Sequence, residues 1–186
     1  MPINGEAFQR NIVFYGGPTL VSIKVGSLFT IRKRDVPNYE ECLSYFNEKL
    51  DKYGLEVVLL KERERSILVY VYSRMKLKRT LESNVIMNYL SNFNYSSDLQ
   101  HSLEVLKSRM NNKEFPHEIG IFLGYPLRDV LGFLAKEECL YTGYWKVYSN
   151  KQNALKTFKK YDQCIQTLTH KLDKGELIEE ILEKMY

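Results

Sequence analysis

A chain of 186 residues with 44% hydrophobic and 27% charged residues has the length and composition of one folded domain, long enough to bury a core without disulfides or a structural metal. No apolar run approaches the length needed to span a bilayer, and Met1 to Arg10 lack the basic region and apolar core of a leader, so a cytoplasmic protein with no membrane association is expected. The net charge of +4 is uneven, with 14 basic and 9 acidic residues up to Arg79 against 13 and 14 after it, which leaves room for an anionic partner in the N-terminal half.

Ala7 to Phe14 reads as a short helix broken by Gly16, Gly17 and Pro18, before a turn carrying Thr19, Leu20 and Ile23 and then Lys24. Ser27 to Ile31 has the β-branched and aromatic content of a strand. Asn38 to Tyr53 is the clearest helix: Cys42, Phe46, Leu50 and Tyr53 share a face, Asn38 and Glu41 have capping-box spacing, and Gly54 ends it. Leu55 to Leu60 and Ser66 to Tyr72 predict a hairpin around the charged segment 61–65, apolar on both faces as in the centre of a covered sheet. Tyr70 and Tyr72 share one of those faces and can line a pocket. Helices are predicted over Lys78 to Asn92, with Leu81, Val85 and Tyr89 inward, and over Ser97 to Asn111, with Leu99, Leu103, Leu106 and Met110 inward and a Ser97–Gln100 capping box.

The densest stretch is Phe115 to Phe133, with three glycines, two prolines and a His-Glu pair in nineteen residues. Pro116 suits the first position of a short helix, and Glu118 near its N-terminus suits the macrodipole. Ile119, Phe122 and Leu123 give it an apolar face, while Gly120 and Gly124, four apart, allow close approach of another element or a ligand. Gly124 ends this helix and Pro126 starts the next, with Leu127, Val130, Leu131 and Leu134 inward. Tyr144 to Tyr148 alternates as a strand, Trp145 and Val147 on one face and Tyr144, Lys146 and Tyr148 on the other. Ser149 with Gln152 caps a long helix through Leu172, whose face holds Leu155, Phe158, Ile165 and Leu168; Gly175 closes it, and Glu176 to Met185 forms a last short helix. The pattern predicts an α+β fold, a small mostly antiparallel sheet of about four strands packed with several helices, in a single domain over 1–186.

Phe115 to Gly132, with its Glu-Ile-Gly and Gly-Tyr-Pro motifs, resembles domain-of-unknown-function family 3793, uncharacterised proteins of anaerobic bacteria. Pro-Thr-Leu at 18–20, Lys24 and Gly-Tyr-Trp-Lys-Val-Tyr at 143–148 extend the resemblance over most of the chain. It implies a catalytic role for no residue. Members of that family often carry Cys-Ala just before Pro-Thr-Leu; Gly16 and Gly17 stand there in this chain, so no thiol chemistry is implied at that point.

His117 beside Glu118 is the candidate acid/base or metal-ligand pair, with a histidine that pins a loop by hydrogen bonds as the structural alternative. A zincin needs a second histidine four residues on, where Ile121 stands, and three scattered histidines form no zinc ligand set, so no metal site is expected. Gly16, Gly17, Thr19 and Lys24 lack Walker spacing, and no G-x-G-x-x-G occurs, which leaves Lys24 a donor to an anionic ligand or a surface lysine. Cys42, Cys139 and Cys164 are odd in number and far apart, as reduced thiols are. Arg32 to Arg34 and Arg74 to Arg79 concentrate the basic surplus, either as solvated surface or as an anion-attracting patch. Tyr144, Lys146 and Tyr148 set aromatic platforms beside a cation, as single-strand nucleic-acid binders do, although tyrosines on such a face also serve as core.

The leading expectation is a small-ligand-binding protein or an enzyme of unknown reaction, with a small anionic ligand and a site drawn from Lys24, Arg74, His117, Glu118, Lys146 and Tyr148. A nucleic-acid-binding module using the basic half and the tyrosine-faced strand is the first alternative, and an accessory factor that meets a protein partner is the second. No cofactor is specified; haem or iron would require His117 or a tyrosine as ligand.

Overall fold

Strands β1 (Gly26–Arg32), β2 (Leu55–Glu62) and β3 (Ser66–Ser73) form an antiparallel sheet in the order β1-β3-β2 in a computed structural model describing Met1 to Tyr186. A separate two-stranded ribbon pairs β4 (Tyr141–Thr142) with β5 (Lys146–Val147). The helices are α1 (Gly5–Leu20), α2 (Tyr39–Asp51), α3 (Arg74–Leu81), α4 (Asn84–Leu90), α5 (Leu99–Met110), α6 (Ile119–Phe122), α7 (Leu127–Leu134), α8 (Lys151–Asp173) and α9 (Ile178–Glu183). The fold is thus α+β, 54% helical. Its residues cluster into two units, Met1–Leu77 with Cys164–Tyr186, and Lys78–Gln163.

In the first unit the central strand decides the packing. Ile67, Val69 and Val71 point to one face of β3 and join Phe8, Ile12 and Leu20 of α1, Cys42, Phe46 and Leu50 of α2, Leu168 and Leu172 of α8 and Ile178, Ile181 and Leu182 of α9 in one apolar core. Tyr70 and Tyr72 occupy the other face, stacked at 5.2 Å and fully buried. The hairpin expectation holds, with one correction. Only β3 is central; β2 is an edge strand paired with β3 alone, bulged between Leu59 and Lys61.

Helix α1 does not break at Gly16, Gly17 and Pro18 but runs through them. A Cβ at Gly16 would sit 2.7 Å from Val71 Cγ1, and one at Gly17 would sit 3.1 Å from Leu168 Cδ1. The glycines therefore let the helix backbone lie against β3 and α8, and that packing outweighs their poor helix propensity. Asn38 precedes α2 as expected, but its side chain donates to Ile3 O and to Glu41 Oε2 instead of accepting from the helix.

In the second unit the expected helix over Lys78 to Asn92 is interrupted at Ser83, which is extended and starts α4 afresh. The restart changes the helical phase, so Leu81 is buried while Val85 is 68% exposed. Helix α5 is capped by Asp98, whose carboxylate accepts the His101 N–H at 2.7 Å, rather than by Ser97. Likewise Asn150 accepts the Asn153 N–H at the start of α8, because the Ser149 hydroxyl is taken by Asp129. Leu155 of α8 lies outward, whereas Phe158 packs with Val147 and Ala154.

Candidate functional site

Pro116 opens a tight turn, with Ile119 N–H to Pro116 O at 3.1 Å and Gly120 N–H to His117 O at 3.2 Å, before the single helical turn of α6. Gly124 follows at φ +80, a conformation that side chains resist, and the Tyr125 N–H returns to Gly120 O at 2.8 Å. The chain thereby folds α7 back on α6 so closely that a Cβ on Gly120 would lie 2.9 Å from Val130 Cγ2. The inward face of α7 is Asp129, Val130 and Gly132; Leu131, Phe133 and Leu134 are exposed, so the expected Leu131 and Leu134 face is corrected.

The buried Asp129 is the hub of this unit. Its Oδ1 accepts from the Tyr148 N–H, the Ser149 N–H and the Ser149 hydroxyl, each at 2.9 Å, and its Oδ2 accepts from Trp145 Nε1 at 2.8 Å. These bonds bind the segment around β5 to α7 and press the Tyr148 ring onto Gly132, where a Cβ would meet Tyr148 Cγ at 2.6 Å. The expected five-residue strand is reduced to Lys146–Val147. Tyr144 does not share an open face with Lys146 and Tyr148: its ring packs on Phe158 and Tyr161, and its hydroxyl donates to Asp162.

An open cleft of about 380 Å³ results, lined by His117, Phe133, Lys136, Lys146 and Tyr148, with Leu134 and Glu137 at its wall. Phe133 lies edge-on to the His117 ring at 5.0 Å, and its ring centroid is 5.5 Å from the Lys146 ammonium. Glu137 is engaged by Arg128 in a two-point pair of 3.1 and 2.6 Å, so its charge is balanced outside the lysine pair. The Tyr148 hydroxyl is held above its ordinary value by desolvation first and by the negative charges around it second.

The remaining sequence candidates lie elsewhere. Glu118, 3% exposed, turns away from solvent to accept from Tyr95 at 3.1 Å and from Arg109 Nε, and Arg109 in turn covers the Phe93 ring. Arg74 belongs to the first unit, where it donates to the Asp51 carboxylate at 2.6 Å and to the Asp51 carbonyl at 2.7 Å. Lys24, also in the first unit, is buried beside Ser27 at 3.2 Å, and burial pushes its amine down to about 8. Of the six candidates, three share the cleft: His117, Lys146 and Tyr148. Lys136, Asp129 and Arg109 were not singled out from sequence. Asp129 left one signal, an acid in the first turn of a Pro-started helix; Lys136 and Arg109 look like surface cations until the chain is folded.

No group of three or more His, Cys, Asp or Glu side chains is placed to hold a metal ion. Burial raises the Cys42 thiol and pushes Cys164 up to about 11, which disfavours the thiolate at both. No helix is long and apolar enough to cross a membrane.

Fold and site together define an α+β protein with a small antiparallel sheet and an open cationic cleft. The chain belongs to the family described as Protein of unknown function (DUF3793), whose model matches residues 12–182. No curated protein and no solved structure matches it.

Proposed function

We propose that this chain is a small-ligand-binding protein whose cleft takes a small anion bearing a carboxylate or phosphate group. The observation that carries the reading is the convergence of Lys136, Lys146, His117 and the Tyr148 hydroxyl on one cleft, while its single carboxylate, Glu137, is paired with Arg128. Two ammonium groups attract and orient an anion, and Phe133 offers an apolar surface for the rest of a ligand. The His117 ring offers a hydrogen-bonding nitrogen to the same ligand. Asp129 contributes without touching the ligand, by holding the backbone of Tyr148 and Ser149 so that Lys146 and Tyr148 face the cleft.

Titration calorimetry with inorganic phosphate, and with mono- and dicarboxylates, tests the reading. Saturable binding that weakens with salt and is lost in a Lys136→Gln, Lys146→Gln double variant supports it. Binding that the double variant leaves unchanged sinks it, as does no binding of any of these anions at millimolar concentration.

A further inference from the structure

We propose that the anion taken by this cleft is an aryl acid, a carboxylate or phosphate borne directly on an aromatic ring, with the ring packed on Phe133 and His117 and the anionic group held by Lys136 and Lys146. The inference rests on the anion-binding reading of the cleft and adds the chemical class of the skeleton that carries the charge. Three of the residues that line the cleft present rings, His117, Phe133 and Tyr148, against one aliphatic side chain, Leu134.

The end of α7 brings a ring and a cation to the cleft in one turn. The Lys136 N–H donates to Phe133 O at 3.1 Å and the Glu137 N–H to Gly132 O at 3.0 Å, the paired bonds that close a helix around a left-handed residue. That residue is Lys136, at φ +55, where glycine is usual because a side chain resists the conformation. Strain of this kind, kept at a residue that lines a cleft, points to a use for the side chain. From β5, Lys146 brings its ammonium to 5.5 Å from the centroid of the Phe133 ring.

An anionic group that pairs with Lys146 is therefore set beside Phe133, and the skeleton that bears it meets that ring and the His117 ring first. Phe115 stands 5.6 Å from His117 on the side of the series away from Phe133's own contact, and both phenylalanines are exposed, so the aromatic surface continues outward from the cations. Ring against ring gains offset or edge-to-face attraction beyond the area it buries. A rigid ring with its charge attached directly also loses less freedom on binding than an alkyl chain does. The Tyr148 hydroxyl supplies a further donor for an oxygen of the anionic group.

The test compares flat and puckered rings of matched size on the full chain: benzoate against cyclohexanecarboxylate, and phenyl phosphate against cyclohexyl phosphate, with inorganic phosphate as the bare anion. Titration calorimetry should show the aryl member of at least one pair binding roughly three- to tenfold more tightly than its saturated partner. Phe133→Leu, which keeps an apolar side chain at an exposed position, should abolish that preference and leave the affinity for inorganic phosphate within about twofold of the parent. In the parent, nuclear Overhauser contacts should join the ligand's ring protons to the rings of Phe133 and His117, a measurement that needs no variant. Saturated acids that bind as tightly as the aryl acids in both pairs would overturn the inference while leaving the anion-binding reading intact, as would ring contacts centred elsewhere or an aryl preference that Phe133→Leu retains. Absence of binding by every one of these anions would overturn both.

Discussion

Asp129 Oδ1 accepts the backbone N–H of Tyr148 at 2.9 Å across nineteen residues of sequence, and this bond sets the wall of the cleft. Replacing Asp129 by Ala leaves the N–H groups of Tyr148 and Ser149 and the Trp145 indole without their acceptor. Loss of on the order of 3 kcal/mol is expected in urea unfolding, since hydrogen bonds to a charged acceptor are stronger than neutral ones. Trp145 fluorescence should shift in the folded variant; a variant as stable as the parent would contradict the hub role.

Glu118 should behave as a structural acid. Glu118→Ala strands the Arg109 guanidinium and the Tyr95 hydroxyl, at an expected cost of roughly 2 kcal/mol, below that of a fully buried pair because the Arg109 side chain keeps 30% exposure. Chemical denaturation of Glu118→Ala, Arg109→Ala and the double variant checks this. The double variant should be less destabilised than the sum of the singles.

Gly16 is predicted to tolerate no side chain. Gly16→Ala should cost about 1–3 kcal/mol through crowding against Val71, and Val71→Ala should relieve part of that cost in a double-mutant cycle. Additive effects would show that α1 can shift away from β3.

Lys24 should leave a pH signature. Its folded value of about 8 lies below the ordinary 10.5, so between these values the unfolded chain binds more protons than the folded one. Stability therefore rises with pH across that window relative to a Lys24→Met variant, by roughly 3 kcal/mol in all. Below pH 8 both states are protonated and the difference between parent and variant is flat. Urea midpoints of the two proteins from pH 7 to 10.5 provide the measurement.

Much of the fold was legible because it depends on local periodicity. Cys42, Phe46 and Leu50 announce α2, and the β-branched runs on either side of 61–65 announce the hairpin. The misread points are those where tertiary packing overrides local rules. Gly16, Gly17 and Pro18 look like a break until Val71 and Leu168 supply a reason for bare backbone. Val85 fits the inward phase of a single helix only if Ser83 does not restart it. His117, Lys146 and Tyr148 could be singled out by type and spacing, yet the cleft that gathers them also needs Lys136 and the Asp129 network. Those pairings join segments far apart in sequence, and no local pattern encodes them.

The most direct test of the cleft is a titration of ¹⁵N-labelled protein with inorganic phosphate and small carboxylates, followed residue by residue. The account predicts saturable shifts at the amides of Lys136, Lys146 and Tyr148, abolished in the Lys136→Gln, Lys146→Gln double variant while the rest of the spectrum is preserved. Saturable shifts centred elsewhere, or shifts the double variant retains, would contradict it.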